Sequence, residues 1–277
     1  MAAKAFSPGN ITLFFMISPH KNPLKMGSLG LSFAVNKGAW ATAERSKVSS
    51  VYLNGKKESF PTLNDGIRHL ADRPVRVKIK TELPLGAGFG MSGACTLAAL
   101  LAINEELGLG KSRRELALIA HKSEVRHRTG LGSVTAEFLG GPLMRNRPGN
   151  PLAAEQLPLP AQTFFYRSFK KMSTKEKLKD RRLAAACELA FSSALEKTKR
   201  LLREKKLTWA SLFRIGKEFC LASWLLPTSY VTPAINSIER RGGAATMALL
   251  GKAVIATKPF PGSRAFSVSR EGARIIE

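Results

Sequence analysis

The pattern of apolar and polar positions predicts strands and helices interspersed along the first half of the chain. Three short segments have the alternation or the β-branched character of strands, namely residues 11–15, 31–35 and 75–81. Apolar residues recur at helical spacing over residues 63–70. Residues 95–107 are small and apolar almost throughout, which predicts a helix buried on most of its surface.

Two local signals refine this picture. Serine, proline, glycine and asparagine follow one another at residues 7–10, which predicts a turn. A second helix is expected after Ser112, whose side chain can cap it, with Glu115 as the partner in a capping box. This helix runs as far as Glu124.

The second half of the chain shows a similar mixture. It predicts strands and helices in turn, at residues 164–169, 183–202, 209–226 and 253–256. Prolines punctuate residues 148–160, which favours a connection between two domains, residues 1–150 and 151–277. We therefore expect an α+β fold of two domains.

The composition is that of a globular protein with an ample core. Of the 277 residues, 44% are hydrophobic and 23% are charged, which argues against disorder. No apolar run reaches the roughly 18 residues of a membrane-spanning helix, and the first residues lack a signal-peptide core, so we expect a cytoplasmic protein. Cys95, Cys187 and Cys220 lie far apart in apolar segments, which favours reduced core residues.

The net charge is the one extreme of the composition. Forty-four basic residues against 20 acidic residues give a net charge of +24, which attracts polyanions. Two explanations compete, a nucleic-acid-binding surface and a protein whose ligand is a small anion such as ATP. The chain has no zinc-finger spacing and no aromatic RNA-binding signature, and the basic run at residues 197–206 lacks interleaved aromatic residues. Nucleic acid is therefore the less favoured partner, although the charge does not exclude it.

The segment that most suggests chemistry is PLGAGFGMSGA, residues 84–94, between the strand at residues 75–81 and the buried helix. Its four glycines allow positive φ angles and a close approach of the backbone to a ligand. The following helix directs unpaired N–H groups and the positive end of its dipole at the loop. Such a junction suits a phosphate. A flexible turn is the alternative, because glycines also gather in loops.

This loop is neither of the two commonest nucleotide-binding loops. A Walker loop needs a lysine after its last glycine, whereas Gly90 is followed by Met91 and Ser92. A Rossmann loop is followed by an acidic residue on the next strand, whereas Glu105 and Glu106 lie inside the predicted helix. The loop instead resembles the Pro-x-Gly-x-Gly-Leu-Gly-Ser-Ser-Ala loop of the GHMP kinases, which phosphorylate small molecules.

Three more segments resemble this family. They are SPGNIT at residues 7–12, AHKSEV at residues 120–125, and GGAATMALLGKAVIA at residues 242–256. The resemblance implies a GHMP-kinase-like fold with the nucleotide site between its two domains. It implies ATP as the nucleotide, held by the loop residues Pro84, Gly86, Ala87, Gly88, Phe89, Gly90, Met91, Ser92, Gly93 and Ala94.

The resemblance also implies a catalytic centre. Glu124 would bind Mg²⁺ together with Ser92, because an ion that bridges ATP oxygens needs only one or two protein oxygens. His121 lies three residues before Glu124 on the same helix and is the candidate for moving a proton. Several members of the family have a catalytic aspartate in the vicinity of the position that Ser133 occupies in this chain. Without that base, either His121 takes the role or transfer depends on positioning and charge.

The substrate is expected to be a small molecule with a carboxylate. Lys25 and Ser28, in a polar loop, and Arg145 are the candidates for holding it. Asn10 is a further candidate, at a position where many members of the family have a basic residue. Homoserine, shikimate and mevalonate remain open as acceptors, as do a homodimer and a basic relative that binds RNA and has weakened catalysis.

Overall fold

The computed structural model describes residues 2–147, 149–170, 181–226 and 229–276. The N-terminal elements are β1 (Ala3–Ser18), β2 (Gly27–Arg45), β3 (Ser50–Leu53), β4 (Lys56–Lys57), α1 (Pro61–Leu70), β5 (Val75–Thr81), α2 (Met91–Leu107), α3 (Arg113–His127), α4 (Ser133–Leu139), β6 (Pro142–Arg145) and β7 (Glu155–Gln156). The later elements are β8 (Thr163–Lys170), α5 (Arg181–Arg203), α6 (Trp209–Ala222), α7 (Val231–Arg240), β9 (Ala245–Ala248), β10 (Lys252–Ala256), β11 (Arg264–Ser267) and β12 (Arg274–Ile276).

Two sheets organise these elements. The larger sheet has the order β12-β1-β2-β5-β3-β4, and β6 joins it by pairing with β2 and with β7. The smaller sheet has the order β11-β8-β10-β9. Because β12 pairs with β1, the end of the chain returns to the N-terminal sheet. A division into domains at residue 150 stays a prediction.

The paired strands β1 and β2 are longer than the sequence predicted. The turn expected at residues 7–10 is wrong, since these residues continue β1 through a shift in its register with β2 between Pro8 and Gly9. Proline has no N–H to donate to the ladder, so an irregular position suits it. Gly38 lies opposite, where a Cβ would be 2.0 Å from the Ser7 carbonyl oxygen.

The predicted helix at residues 95–107 is confirmed as the buried part of α2. This helix packs on β1 and β2, and its residues Leu97, Leu100 and Leu101 are buried. The capping box of α3 is also confirmed. Ser112 Oγ accepts from the Glu115 N–H at 3.2 Å, and the Ser112 N–H donates to the Glu115 carboxylate at 2.9 Å.

Aromatic side chains join the two sheets in one core. The ring of Phe33 on β2 lies 5.7 Å from Phe164 on β8 and 5.0 Å from Trp209 on α6. All three rings are buried, and the Trp209 indole donates to the Pro160 carbonyl at 2.8 Å. The smaller sheet is therefore fixed against the larger one near the middle of β2.

The helices and strands predicted in the second half of the chain are confirmed, with one change. The predicted strands lie within β8 and β10, and the first late helix lies within α5. The helix expected over residues 209–226 ends at Ala222, because Trp224 has a φ of 54°, which no helix residue adopts. Of the proline-rich connection, Pro148 lies outside the described residues. The three cysteines are free and buried. Within the described ranges, no helix has the length and apolarity to span a membrane.

Candidate active site

One cavity brings together most of the predicted site residues. Its wall is formed by the loop before α2, the centre of the β1–β2 pair, the end of α3 and the turn that follows, and Arg145 on β6. Leu249 and Leu250, which follow β9, close another side. The cavity therefore lies where the glycine loop, two helix ends and the late loop converge.

The glycine loop has the geometry of an anion site. Gly90 is the N-cap of α2 with a φ of 64°, and no side chain caps this helix, so its first N–H groups are free to meet a ligand. Gly88 has a φ of 90°, and a Cβ there would lie 2.7 Å from the Ala248 carbonyl oxygen. A Cβ on Gly251 would lie 2.0 Å from the Ala87 carbonyl. The late loop is therefore packed directly on the glycine loop.

The residues predicted to hold ATP divide into two groups. Those that line the cavity are Gly86, Gly88, Phe89, Gly90, Met91 and Ser92. Pro84, Ala87, Gly93 and Ala94 do not line it. Ala87 and Ala94 belong to the core beneath the loop.

Glu124, in the last turn of α3, lies at the cavity wall. The residue is 1% exposed, and its two oxygens accept hydrogen bonds of 2.7 Å from the hydroxyls of Thr129 and Ser133. Burial raises the pKa of Glu124, and the hydroxyls of Ser133, Ser92 and Thr129 offset part of that rise. No ion pair to Glu124 occurs among the residues that the structure describes.

Ser92, at the first turn of α2, faces the same part of the cavity. Its hydroxyl is buried and has no hydrogen-bond partner of normal geometry in the described structure. An unpartnered hydroxyl beside an unneutralised carboxylate fits a divalent cation, which prefers oxygen ligands. In the described part of the chain, no cluster of three or more histidine, cysteine, aspartate or glutamate side chains suits a metal. A metal here would thus take few protein ligands.

Arg145 brings the opposite charge to the cavity. Its side chain is 6% exposed, one Nη donates to the Thr135 hydroxyl at 3.2 Å, and its Nε has no hydrogen-bond partner among the described residues. Burial lowers the pKa of Arg145 to about 10, so the guanidinium stays charged at neutral pH. No carboxylate pairs with it within the described ranges. A buried charge without a counter-ion is costly, so this end of the cavity suits an anion.

Two glycines, Gly27 and Gly132, leave room for the Arg145 guanidinium. A Cβ on Gly27 would lie 2.7 Å from one Nη and a Cβ on Gly132 would lie 2.7 Å from the other. The same Cβ on Gly132 would lie 2.3 Å from the Ser28 hydroxyl. Ser28 and Arg145 both line the cavity, so two of the predicted substrate contacts lie close together.

His121 and Lys25 do not line the cavity. The His121 ring is 1% exposed, and its Nε2 lies 3.1 Å from the Pro23 carbonyl and 2.9 Å from the Met26 carbonyl. Both carbonyls only accept, so Nε2 carries the proton. Burial lowers the pKa of His121 to about 4. This histidine therefore anchors the loop that leads to Ser28, and Lys25 on that loop is exposed.

Two of the positions that depart from the family pattern, Asn10 and Ser133, are in contact. The Asn10 amide donates to the Ser133 carbonyl at 2.9 Å and to the Glu137 carboxyl at 3.0 Å. Asn10 lines the cavity, but its two donor bonds go to protein. The side chain consequently braces the start of α4 against β1.

The sequence analysis missed α4 and, with it, Glu137. This residue is fully buried, and its Oε2 has no partner in the described structure. Burial raises the pKa of Glu137 well above its usual value, and the nearby charge of Glu124 raises it further. A Cβ on Gly93 would lie 2.5 Å from Oε2, so the glycine makes room for this carboxyl. The available signal was a lone acid inside the apolar run VTAEFL.

Comparisons with known proteins identify one domain of the chain and its overall fold. Residues 58–141 match the model of the GHMP kinases N terminal domain. A solved structure described as a phosphotransferase related to the CoA biosynthesis pathway has a TM-score of 0.85 at 24% identity, covering 99% of this chain and 98% of that one. A homoserine kinase from Cytophaga hutchinsonii has a TM-score of 0.72 at 18% identity, with 99% and 97% covered. The chain therefore contains a GHMP kinase N-terminal domain at residues 58–141, and its overall fold is that of these solved structures.

The chain is also similar to curated pantoate kinases. The curated pantoate kinase of Methanocaldococcus jannaschii is 35% identical over 156 residues, which are 55% of this chain and 56% of that protein. That match thus spans about half the length of the relative. The pantoate kinase of Thermococcus kodakarensis is 28% identical over 275 residues, covering 92% of this chain and 87% of that protein.

Proposed function

We propose that this protein is a pantoate kinase, which transfers the γ-phosphoryl group of ATP to the 4-hydroxyl of pantoate in archaeal coenzyme A biosynthesis. One observation carries the proposal. The same cavity holds a buried carboxylate, Glu124, and a buried guanidinium, Arg145, and neither forms an ion pair with a described residue. A cation bound with ATP matches the first, and the carboxylate of pantoate matches the second.

The nucleotide is assigned to the glycine loop. ATP phosphates would lie against Gly86, Gly88 and Gly90, where the uncapped start of α2 offers N–H groups and the positive end of its dipole. Glu124 and Ser92 would hold Mg²⁺, which would neutralise the phosphate charge during transfer. In this arrangement the nucleotide lies between the N-terminal sheet and the late loop at Leu249.

The acceptor is assigned to the other end of the cavity. Arg145 would bind the pantoate carboxylate with the help of Ser28. This binding would place the pantoate 4-hydroxyl in line with the γ-phosphate of ATP. The Ser133 hydroxyl donates to Glu124, and serine is too weak a base for this proton at neutral pH. A loose transition state needs little help from a base, so positioning and charge carry the reaction. His121 supports the loop rather than the chemistry.

A panel of acceptors tests the proposal. ADP release is measured with Mg-ATP and, separately, pantoate, homoserine, mevalonate or shikimate. We expect release that depends on pantoate and is at least about tenfold slower with each other acceptor. All four acids can pair with Arg145, but they differ in the carbon skeleton that joins the carboxylate to the hydroxyl, and a misplaced hydroxyl reacts slowly. Faster ADP release with another acceptor would support a kinase activity but would contradict pantoate as the substrate. Release with none of them would reject the activity.

A further inference from the structure

The outward face of the larger sheet is strongly basic. Along β5, Val77 and Ile79 are buried towards α2, whereas Arg76, Lys78 and Lys80 are exposed on the opposite face. Successive side chains of a strand point to opposite faces, so the three cations form a row. The exposed fractions of the Arg76 and Lys78 side chains are 45% and 59%.

The strand register extends this row across the sheet. Lys78 pairs with Thr42 and with Tyr52, and Lys80 pairs with Trp40, so these side chains share the face. Further pairs add cations on both sides, since Lys4 pairs with Thr42, Arg274 with Phe6, and Lys57 with Tyr52. We call the set formed by these positions the basic sheet face: Lys4, Trp40, Tyr52, Lys57, Arg76, Lys78, Lys80 and Arg274.

Acidic residues offset only part of this charge. Glu44 lies 3.1 Å from Arg76 and 3.4 Å from Lys78. Glu82, just beyond β5, accepts from the Trp40 indole at 3.1 Å. Among the described residues, the other lysines of the basic sheet face form no ion pair, so the face presents a clear excess of positive charge.

Two aromatic side chains lie among these cations. Trp40 and Tyr52 line one groove together with Lys78 and Lys80. Both are partly exposed, and the Lys4 ammonium lies 4.8 Å from the Trp40 ring centre. The basic helix run at residues 197–206 has no aromatic residue. The combination of aromatic rings with a row of cations is therefore a property of the sheet face.

We propose that the basic sheet face binds single-stranded nucleic acid, with phosphates on the lysines and bases stacked on Trp40 and Tyr52. Cations that follow a backbone and aromatic platforms for bases are the two components of such sites. A second copy of the chain is disfavoured, because symmetric pairing would oppose like charges. The groove shares no lining residue with the catalytic cavity, so the proposal is independent of the kinase assignment.

Fluorescence anisotropy with a labelled oligouridylate of about 20 nucleotides, at 50 to 200 mM salt, tests this surface. The Lys78→Glu/Lys80→Glu variant is compared with Lys199→Glu/Arg203→Glu on α5, which changes the net charge equally at exposed positions. We expect the sheet variant to reduce the slope of log affinity against log salt by about 1.4, from about 0.7 for each lysine lost. The helix variant should retain the wild-type slope.

Aromatic variants test the stacking. Tyr52→Ala should weaken binding about tenfold, as the loss of one stacked base does. Trp224→Ala, at a side chain that is 76% exposed elsewhere, should leave the affinity unchanged. Thermal melting confirms that each variant is folded.

Three outcomes would overturn the proposal. An equal loss of oligonucleotide affinity in Lys78→Glu/Lys80→Glu and in Lys199→Glu/Arg203→Glu would mean that only the net charge matters. Equal affinity for a duplex of the same length would exclude a single-strand site. Stronger binding to vesicles containing phosphatidylserine than to the oligonucleotide would assign the face to a membrane surface.

Discussion

Glu124 and Glu137 are both glutamates without exposed surface, yet their surroundings differ. Burial raises the pKa of each. Glu124 lines the cavity and receives two hydroxyl donors, with the unpartnered Ser92 hydroxyl nearby. Glu137 lies behind the glycine loop, receives the Asn10 amide, and leaves one oxygen without a partner among the described residues.

The difference shows that burial and a shifted pKa do not identify a functional carboxylate by themselves. Perturbed groups gather at active sites, but structural groups are perturbed as well. Access to the cavity separates the two here. We therefore propose that Glu124 takes part in the chemistry and that Glu137 supports the wall formed by α4.

The same substitution at both glutamates gives the largest expected contrast. Glu124→Gln should lower kcat by a factor of about 10³, because it removes the charge that balances the cation at the transferring phosphate. Glu137→Gln should keep kcat within about fivefold of wild type, because a neutral amide matches the form that burial favours there. Steady-state ADP release measures both. Equal losses in the two variants would remove the distinction.

The cationic end of the cavity extends the comparison to Arg145. Arg145→Met should raise the KM for pantoate about 100-fold and leave the KM for ATP within a few-fold, because a desolvated charge pair is lost on one ligand only. Its thermal stability should be unchanged or higher, because an unpaired buried charge is replaced by an apolar side chain. A variant that instead unfolds, or that weakens ATP equally, would make Arg145 a structural residue.

His121 is a fourth buried titratable group, and it tests whether a buried group outside the cavity takes part in the reaction. Burial lowers its pKa in the folded protein to about 4, against 6.5 for an ordinary histidine. Between these pH values the unfolded chain binds the proton and the folded protein does not, so stability falls as the pH falls from 6.5 to 4. This group accounts for about 3 kcal/mol of that loss.

His121→Gln should therefore remove about 3 kcal/mol from the pH dependence of unfolding between about pH 7 and pH 4. Denaturant titrations of both proteins measure this, and the buried glutamates cancel in the difference. Activity at neutral pH should change only a few-fold. A loss of activity as large as that expected for Glu124→Gln would mean that His121 takes part in the reaction.

Local sequence patterns were sufficient where local physics decides the structure. The α2 helix and the α3 capping box follow from composition and from residue spacing that act within a few residues. The α4 helix could not be predicted in this way, since it has 7 residues between glycine turns and is held by contacts from β1. The length of β1 likewise depends on its pairing with β2.

The site residues also fall into those that local sequence patterns predicted and those whose position depends on tertiary contacts. Glu124, Ser92, Ser28 and Arg145 were predicted and lie at one cavity. His121 was predicted to act beside Glu124 because the two residues share a helix face. The loop before β2 covers the His121 ring, and residue spacing does not reveal that contact. Glu137 reaches the glycine loop only because Gly90 and Gly93 have no side chain, and this proximity is a tertiary property.

The most direct measurement of the central claim is the identity of the product. The ³¹P NMR spectrum of wild-type protein with Mg-ATP and pantoate should show ADP and a phosphomonoester on the pantoate 4-hydroxyl in equal amounts. Glu137→Gln should give the same spectrum, and Glu124→Gln should give neither signal over the same time. ADP with inorganic phosphate in place of the ester, or an ester formed at the wild-type rate by Glu124→Gln, would contradict the account.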